Sequence, residues 1–193
     1  PEHAKEGDDL AGAFGITKYI PGLTRGKGKG QGDAIADNAL VQHYTNIENL
    51  RHYPRLFEVD EVVVATEKIH GTNCRLAIVN GEQFAGSHRV LRKMPEDEEE
   101  ANNSLYWTPW SDKAVQSLMH RLSTEHKQVI LYGEIFGEGI QKLSYGVKGT
   151  EFLAFDLFVD GKYVDFPEFQ TLCFIWGVRT APVVYAGPYS LEA

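Results

Sequence analysis

The feature of this sequence that most constrains its fold is a short hairpin signal, Asn80-Gly81, set between two runs that suit β-strands. Residues 76–79 precede the pair and residues 82–85 follow it, and Asn-Gly supplies the positive φ angles that a two-residue turn requires. An apolar run at residues 62–65 adds a further strand. The pattern therefore predicts an antiparallel sheet from residue 62 onward.

The second half of the chain alternates predicted helices and strands. Apolar residues recur at helical spacing in residues 111–127, where Ser111 and Asp112 can cap the start, and a second helix is predicted at residues 167–176, stopped by Gly177. Strands are predicted at residues 129–132, ending at Gly133 and Glu134, and at residues 152–159, which turn back into residues 162–166.

Composition fits a single intracellular, cytoplasmic domain. The 193 residues are 42% hydrophobic and 24% charged, which is near the globular average and enough for one core. Cys74 and Cys173 lie far apart without a second cysteine nearby, which argues against a disulfide framework and a zinc site. The chain has no apolar run of about 18 residues, so no membrane span is predicted.

Two charged or glycine-rich stretches are predicted to lie outside the core. Residues 1–38 are rich in Gly, Lys and Asp, most densely at residues 25–33, and are expected to be a flexible segment or the end of a preceding region. Residues 39–193 are then the folded domain. Residues 96–100 are all acidic, contribute much of the net charge of −8, and are predicted to form a solvated loop.

A lysine follows the run at residues 62–65, in the string Glu-Lys-Ile-His-Gly-Thr-Asn of residues 67–73. Lys68 lies between two predicted strands, and Gly71 would let the backbone turn closely around a ligand. Such a placement suits a nucleophile that attacks phosphorus. A lone Lys-x-x-Gly is more often an exposed lysine in an ordinary hairpin, so this motif needs support from the rest of the chain.

The string resembles the nucleotidyl-transfer motif of ATP-dependent RNA ligases, in the branch of the RNA ligase 2 type and the RNA-editing ligases. Residues 132–142 are similar to the segment that carries the ribose-binding glutamate, and residues 152–157 to the segment that carries the adenine-stacking aromatic. Residues 44–49 are similar to the family's lead-in. The resemblance implies an α+β nucleotidyltransferase (ligase adenylation) domain, in which antiparallel sheets flanked by helices hold ATP between them.

The resemblance also assigns roles. Lys68 would attack the α-phosphorus of ATP and form a lysyl-AMP intermediate; His70 and Asn73 would act on the phosphates and on metal-bound water; Glu67 and Ile69 would flank the nucleotide; Arg89 would approach it; Glu134 would accept hydrogen bonds from the ribose and contact the metal; and Phe155 would stack on adenine. Asp156 would point away from Phe155 in a strictly alternating strand and is a weaker candidate.

The expected cofactors are ATP and Mg²⁺ or Mn²⁺, and the expected partner is RNA with 3′-OH and 5′-phosphate ends, with nicked duplex as one candidate form. A free lysine has a pKa of about 10.4, so the site must favour its neutral form, which a metal ion and partial burial of Lys68 would do. The net charge of −8 argues against binding to a polyphosphate unless basic residues are locally clustered.

The sequence departs from the family near its end. The Glu-Gly-apolar-apolar and Lys-x-Lys motifs that such ligases carry further along do not occur before Ala193, which is expected of a fragment of a longer enzyme or of a shortened, impaired relative. An inactive nucleotide- or RNA-binding module is therefore an alternative. A DNA ligase or a capping-type nucleotidyltransferase is a second, although the His-Gly-Thr-Asn string is untypical of both.

Overall fold

The computed structural model of the protein describes residues 32–190 and contains a large and a small antiparallel sheet. The seven-stranded sheet has the order β1-β5-β4-β3-β6-β7-β8, and the two-stranded sheet pairs β2 with β9. The strands are β1 (Ala34–Ile35), β2 (Val62–Thr66), β3 (Thr72–Val79), β4 (Glu82–Gly86), β5 (Leu91–Arg92), β6 (Gln128–Gly137), β7 (Thr150–Val159), β8 (Lys162–Tyr163) and β9 (Val183–Pro188). The helices are α1 (Glu98–Asn103), α2 (Lys113–Ser123) and α3 (Phe166–Trp176), with single 3₁₀ turns at Leu50–His52 and Thr108–Ser111.

The predicted hairpin is confirmed. β3 and β4 pair in antiparallel register from Val79↔Glu82 to Arg75↔Gly86, and the turn between them has φ 50° at Asn80 and φ 84° at Gly81. Positive φ at both central residues is the geometry in which the backbone twist of the turn matches that of the strands. The turn sequence therefore sets the register of the strand that follows Lys68.

Both long helices form where the sequence predicts them, and α2 is shorter than expected. The Asp112 side chain accepts a hydrogen bond from the Ala114 N–H at 2.8 Å, which caps the start of α2. The helix ends at Ser123, not at Lys127, since the Thr124 side chain bonds back to the Arg121 carbonyl and the chain then turns into β6. At the end of α3, Gly177 adopts φ 73°, the left-handed cap that glycine favours.

β6 does not end at Gly133, as the sequence suggested, but continues to Gly137. Gly133 lies in mid-strand, and the position requires glycine because a Cβ there would be 2.3 Å from the Phe152 ring of the neighbouring β7. The glycine thus marks a close side-chain contact across the sheet. As a consequence Glu134 is a mid-strand residue, paired with Asn73 of β3, and not a residue of an open strand end.

Lys68 does not lie in a hairpin of a single sheet. β2 belongs to the small sheet and β3 to the large sheet, so the lysine lies in the connection between the two sheets. The segment before β9 runs beside β7, where the Ala154 N–H donates to the Arg179 carbonyl at 2.9 Å and the Ala181 N–H donates to the Ala154 carbonyl at 2.8 Å. These bonds fix the small sheet beside the lysine.

Several smaller expectations also have outcomes. The acidic run at residues 96–100 is not a loop throughout, because Asp97 caps α1 by accepting from the Glu100 N–H at 2.8 Å and the acidic residues occupy the favourable first turn. Cys74 and Cys173 are free thiols, and both are buried. No helix among residues 32–190 is long and apolar enough to cross a membrane.

The predicted domain boundary at residue 38 stays a prediction. The glycine-rich stretch at residues 25–33 lies almost wholly outside the described residues. β1, although within the segment expected to be flexible, pairs with β5 through Ala34↔Arg92 and Ile35↔Leu91 and forms one edge of the large sheet.

Candidate active site

The large sheet has two chemically different faces. On the face covered by α2 and α3, here called the helix-side face, the core contains Cys74, Leu76, Leu131 and Ile135. Alternation along the strands turns their neighbours to the other face, here called the site face. Asn73 and Arg75 of β3 and Glu134 of β6 lie on the site face. The polar candidates of two neighbouring strands are thereby brought together.

The connection at residues 67–71, here called the lysine loop, reaches the site face from the small sheet. Ile69 is 8% exposed and packs in a cluster with Phe136 and Ala181, which anchors the loop. The Glu67 N–H donates to the Pro182 carbonyl at 2.8 Å. Lys68 and His70, on either side of the anchor, are exposed. The sequence analysis expected Lys68 to be partly buried, whereas the structure shows an exposed side chain.

Gly71 is required by the fold itself. A Cβ at this position would be 2.2 Å from the Ile135 carbonyl oxygen and 2.9 Å from Cγ of Glu134. The sequence argument gave this glycine a close approach to a ligand, whereas the structure shows a close approach to β6. This contact places the lysine loop directly against Glu134.

Glu134 is the most perturbed carboxyl group of the site. Burial raises its pKa to about 7, while the charge of Lys68 and the N–H of Gly71, which donates to the carboxylate, act in the opposite direction. Lys68 and Glu134, which are 66 positions apart in the sequence, are thus electrostatic neighbours. A half-desolvated carboxylate next to a lysine is able to accept hydrogen bonds from a ligand's hydroxyl groups.

Asn73 brings a second oxygen to the same place. Its residue pairs with Glu134 across the β3–β6 ladder, and its side-chain Oδ1 is buried without a hydrogen-bond partner. An orphaned buried oxygen is costly unless a ligand or water satisfies it. Amide and carboxylate oxygens are the ligands that Mg²⁺ and Mn²⁺ prefer, so these two residues fit the expected cation.

The described residues hold no group of three or more His, Cys, Asp or Glu side chains that could enclose a metal. A cation of the Mg²⁺ type keeps most of its water and is bound through one or two protein groups and the phosphates of a substrate.

Phe155 and Asp156 lie on the same face, contrary to the expectation from strict alternation. The register of β7 against β6 shifts between Tyr132 and Gly133, so that Asp156 pairs with Tyr132, Ala154 pairs with Gly133, and Phe155 is the extra residue. Such a bulge re-aims side chains. Tyr44 contacts both residues, since its ring lies 4.9 Å from that of Phe155 and its hydroxyl donates to Asp156 Oδ2 at 3.2 Å.

Asp156 is therefore part of the site face. Burial raises its pKa, and the hydrogen bonds from the Leu157 N–H and the Tyr44 hydroxyl partly offset that rise. The Phe155 ring remains half-buried beside the cluster of Ile69. The sequence analysis assigned no role to the Tyr44 side chain, and only its position in the lead-in segment drew attention to it.

Arg89 is not brought to the lysine by any contact that we observe in the part of the chain described. It is exposed, in the turn that joins β4 to β5. Arg75, which the sequence analysis did not single out, is fully buried on the site face. Its guanidinium donates to the Ser87 carbonyl at 2.8 Å and to the Val41 carbonyl, and lies 3.6 Å from the carboxylate of Asp37. It therefore ties the segment before β2 to this face.

Together these positions offer an amine, an ionisable carboxyl group, an unpartnered amide oxygen and an aromatic ring on one face between two sheets. An amine can act as a nucleophile, a carboxylate can bind hydroxyl groups, and a ring can stack on a base. Such a set suits the transfer of a nucleotide through a covalent intermediate.

Residues 61–193 match the family model described as RNA ligase. No curated protein sequence matches the chain.

Solved structures of Naegleria gruberi RNA ligase share the fold. A variant solved with ATP and Mn superposes with a TM-score of 0.75 at 19% identity, over 95% of this chain and 54% of that one. A variant solved with AMP and Mn gives 0.76 at 19% identity, over 98% and 56%, and an apo variant gives 0.77 at 19%, over 98% and 56%.

The chain thus spans about half the length of the solved ligases that it matches. The predicted α+β nucleotidyltransferase fold is confirmed by these superpositions and by the antiparallel sheets with their flanking helices. With the family model matched over residues 61–193, the chain belongs to the RNA ligase family.

Proposed function

We propose that this chain is the adenylation domain of an ATP-dependent RNA ligase, with Lys68 as the nucleophile. The observation that carries the proposal is the electrostatic proximity of Lys68 to Glu134, at the point where Gly71 of the lysine loop contacts β6. Glu134 in turn pairs with Asn73 across the β3–β6 ladder. The ATP and Mn, or AMP and Mn, in the Naegleria gruberi ligase structures support it.

In the first step the Lys68 amine, after losing a proton, forms an N–P bond to the α-phosphorus of ATP while the bond to pyrophosphate breaks. Glu134 accepts hydrogen bonds from the ribose hydroxyls and Phe155 stacks on adenine, which together fix the nucleotide in front of the amine. Stacking contributes about 1–3 kcal/mol per base in comparable sites. His70 is exposed next to Lys68 and can contact the phosphates.

Asn73 Oδ1, through water, and the Glu134 carboxylate would hold the divalent cation. The cation, when bound, supplies positive charge to the α-phosphate oxygens and to the departing pyrophosphate. Glu67 and Ile69 shape the loop on either side of the lysine. We include Arg89 in the binding set on the family resemblance alone.

The later steps use RNA. A 5′-phosphate oxygen of one RNA end attacks the phosphorus of lysyl-AMP, which frees the Lys68 amine and leaves AMP on the RNA. The 3′-hydroxyl of the other end then attacks the RNA phosphate, AMP departs, and a phosphodiester is formed. RNA with 3′-OH and 5′-phosphate ends is the proposed substrate, and a nicked duplex is one form to be tried.

The test is the intact mass of the protein after incubation with ATP and Mn²⁺ or Mg²⁺, beside Lys68→Ala. We expect a gain of one AMP that is absent from Lys68→Ala. Equilibrium binding of ATP is measured on the same samples. ATP binding without an adduct would favour the inactive nucleotide-binding module, and an adduct that persists in Lys68→Ala would contradict the assignment of the nucleophile.

A further inference from the structure

The connection between β6 and β7, residues 138–149, is a loop whose two ends lie next to each other, and it is here called the strap. At its neck the Glu138 N–H donates to the Gly149 carbonyl at 2.8 Å. Gly137 adopts φ 123°, and a Cβ there would be 2.2 Å from that same carbonyl oxygen. The neck is therefore possible only with glycine at Gly137. A loop of this length with adjoining ends is an Ω-loop, a class that often has a function.

The strap holds the backbone of the lysine loop at two successive residues. The Tyr145 hydroxyl oxygen accepts a hydrogen bond from the His70 N–H at 2.9 Å. The Gln141 side-chain amide donates to the Gly71 carbonyl at 3.2 Å. The two anchored groups belong to residues that lie two and three positions after Lys68, so they restrict the path of the backbone from which the lysine side chain extends.

Tyr145 is itself held firmly. Its φ is 56°, which is uncommon for a residue other than glycine and persists only where the surroundings determine it. Its ring packs edge-on against Phe136, with centroids 5.3 Å apart, in the cluster that also buries Ile69 of the lysine loop. The side chain thus links β6, the strap and the lysine loop.

We propose that Tyr145 is a positioning residue, whose hydroxyl fixes the His70 peptide and thereby holds Lys68 in the pose from which it reaches the α-phosphorus of ATP. This inference rests on the proposed adenylation function. The side chain of Lys68 is exposed, so the backbone of its loop has a large part in directing it. A displacement of about 1 Å at a reacting centre can reduce the rate by about 100-fold.

Tyr145→Phe removes the acceptor and keeps the ring that packs on Phe136. We expect the rate of lysyl-AMP formation at saturating ATP to fall about 10-fold to 100-fold, with KM for ATP changed less than about threefold. Amide hydrogen exchange at His70 should become faster in the variant, while the melting temperature stays within a few degrees. Tyr53→Phe, in the segment before β2, is the matched control and should match the unchanged chain in all readouts.

Two results would overturn the inference alone: an unchanged rate of adduct formation in Tyr145→Phe, or a loss of rate that simply follows a loss of folded protein with His70 exchange unaltered. A different result, no adduct from the unchanged chain, would overturn the proposed function and this inference with it. The two failures are therefore distinguishable on the same samples.

Discussion

The two faces of the large sheet are built from the same strands and serve different purposes. The helix-side face is apolar and continuous, with Leu131 and Leu118 fully buried between β6 and α2. The site face places Glu134 and Asn73 at one end and fully buried Arg75 farther along. Burial of charge and of an unpartnered oxygen on the site face costs free energy, and the apolar packing of the helix-side face offsets that cost. Substitutions on the helix-side face should therefore lower the free energy of unfolding, whereas substitutions on the site face can raise it while they impair nucleotide binding.

The largest expected difference in stability is between Leu131→Ala and Lys68→Ala. Leu131 is fully buried, and truncation of such a residue costs about 2–5 kcal/mol through lost contacts and the remaining cavity. Lys68 is exposed, so its truncation should change the free energy of unfolding by no more than about 0.5 kcal/mol. Urea unfolding of both variants measures this, and similar costs for the two would contradict the division between the faces.

Glu134→Gln should stabilise the fold while it impairs nucleotide binding. Since the folded pKa of Glu134 is about 7, above its ordinary value, the carboxyl group binds protons more readily when folded, and its ionisation costs stability as pH rises from about 4.5 to 7. The amide should gain about 1–2 kcal/mol at pH 8, less than the full shift would give because the carboxylate is partly solvated.

At about pH 3.5 or below, roughly one unit under the ordinary glutamate pKa, the carboxyl group is largely protonated in both the folded and the unfolded chain, and the gain should disappear. Unfolding curves at pH 8 and at about pH 3.5 provide the comparison, with Glu138→Gln in the exposed part of the strap as the control. A loss of stability at pH 8 would show that the Lys68–Glu134 attraction outweighs the cost of burial.

The smallest of these three contrasts is expected at the bulge. Tyr44→Phe removes a hydrogen bond to Asp156 and keeps the ring contact with Phe155, so it should cost about 0.5–1.5 kcal/mol. Because that bond favours the ionised carboxylate, its loss should raise the pKa of Asp156 further, and the cost should shrink as pH falls and the carboxylate protonates. A cost that is equal at all pH values would indicate that ring packing alone is affected.

Much of the fold follows from local sequence signals. The Asn80-Gly81 turn, the Asp112 cap and the Gly177 stop each determine one boundary through the backbone angles or hydrogen bonds that they permit. Lys68 and Glu134 were predictable as candidates because of the family resemblance of their segments. Their roles remain proposals.

Other features depend on pairing across the sheet and could not be derived from one strand. The β7 bulge that places Asp156 beside Phe155 exists only in the register against β6. In the sequence Gly133 looked like the end of a strand. The position requires glycine because the Phe152 ring of a neighbouring strand occupies the space of a side chain. The contact of Tyr145 with the His70 N–H joins residues 75 positions apart and has no local signature.

The most direct test of the account is to locate the AMP group at the level of peptides after incubation with ATP and Mn²⁺. Proteolysis followed by tandem mass spectrometry distinguishes Lys68 from Lys142 and Lys148 of the nearby strap. The account predicts that AMP is found on Lys68 alone. AMP on a strap lysine, with Lys68 unmodified, would contradict it.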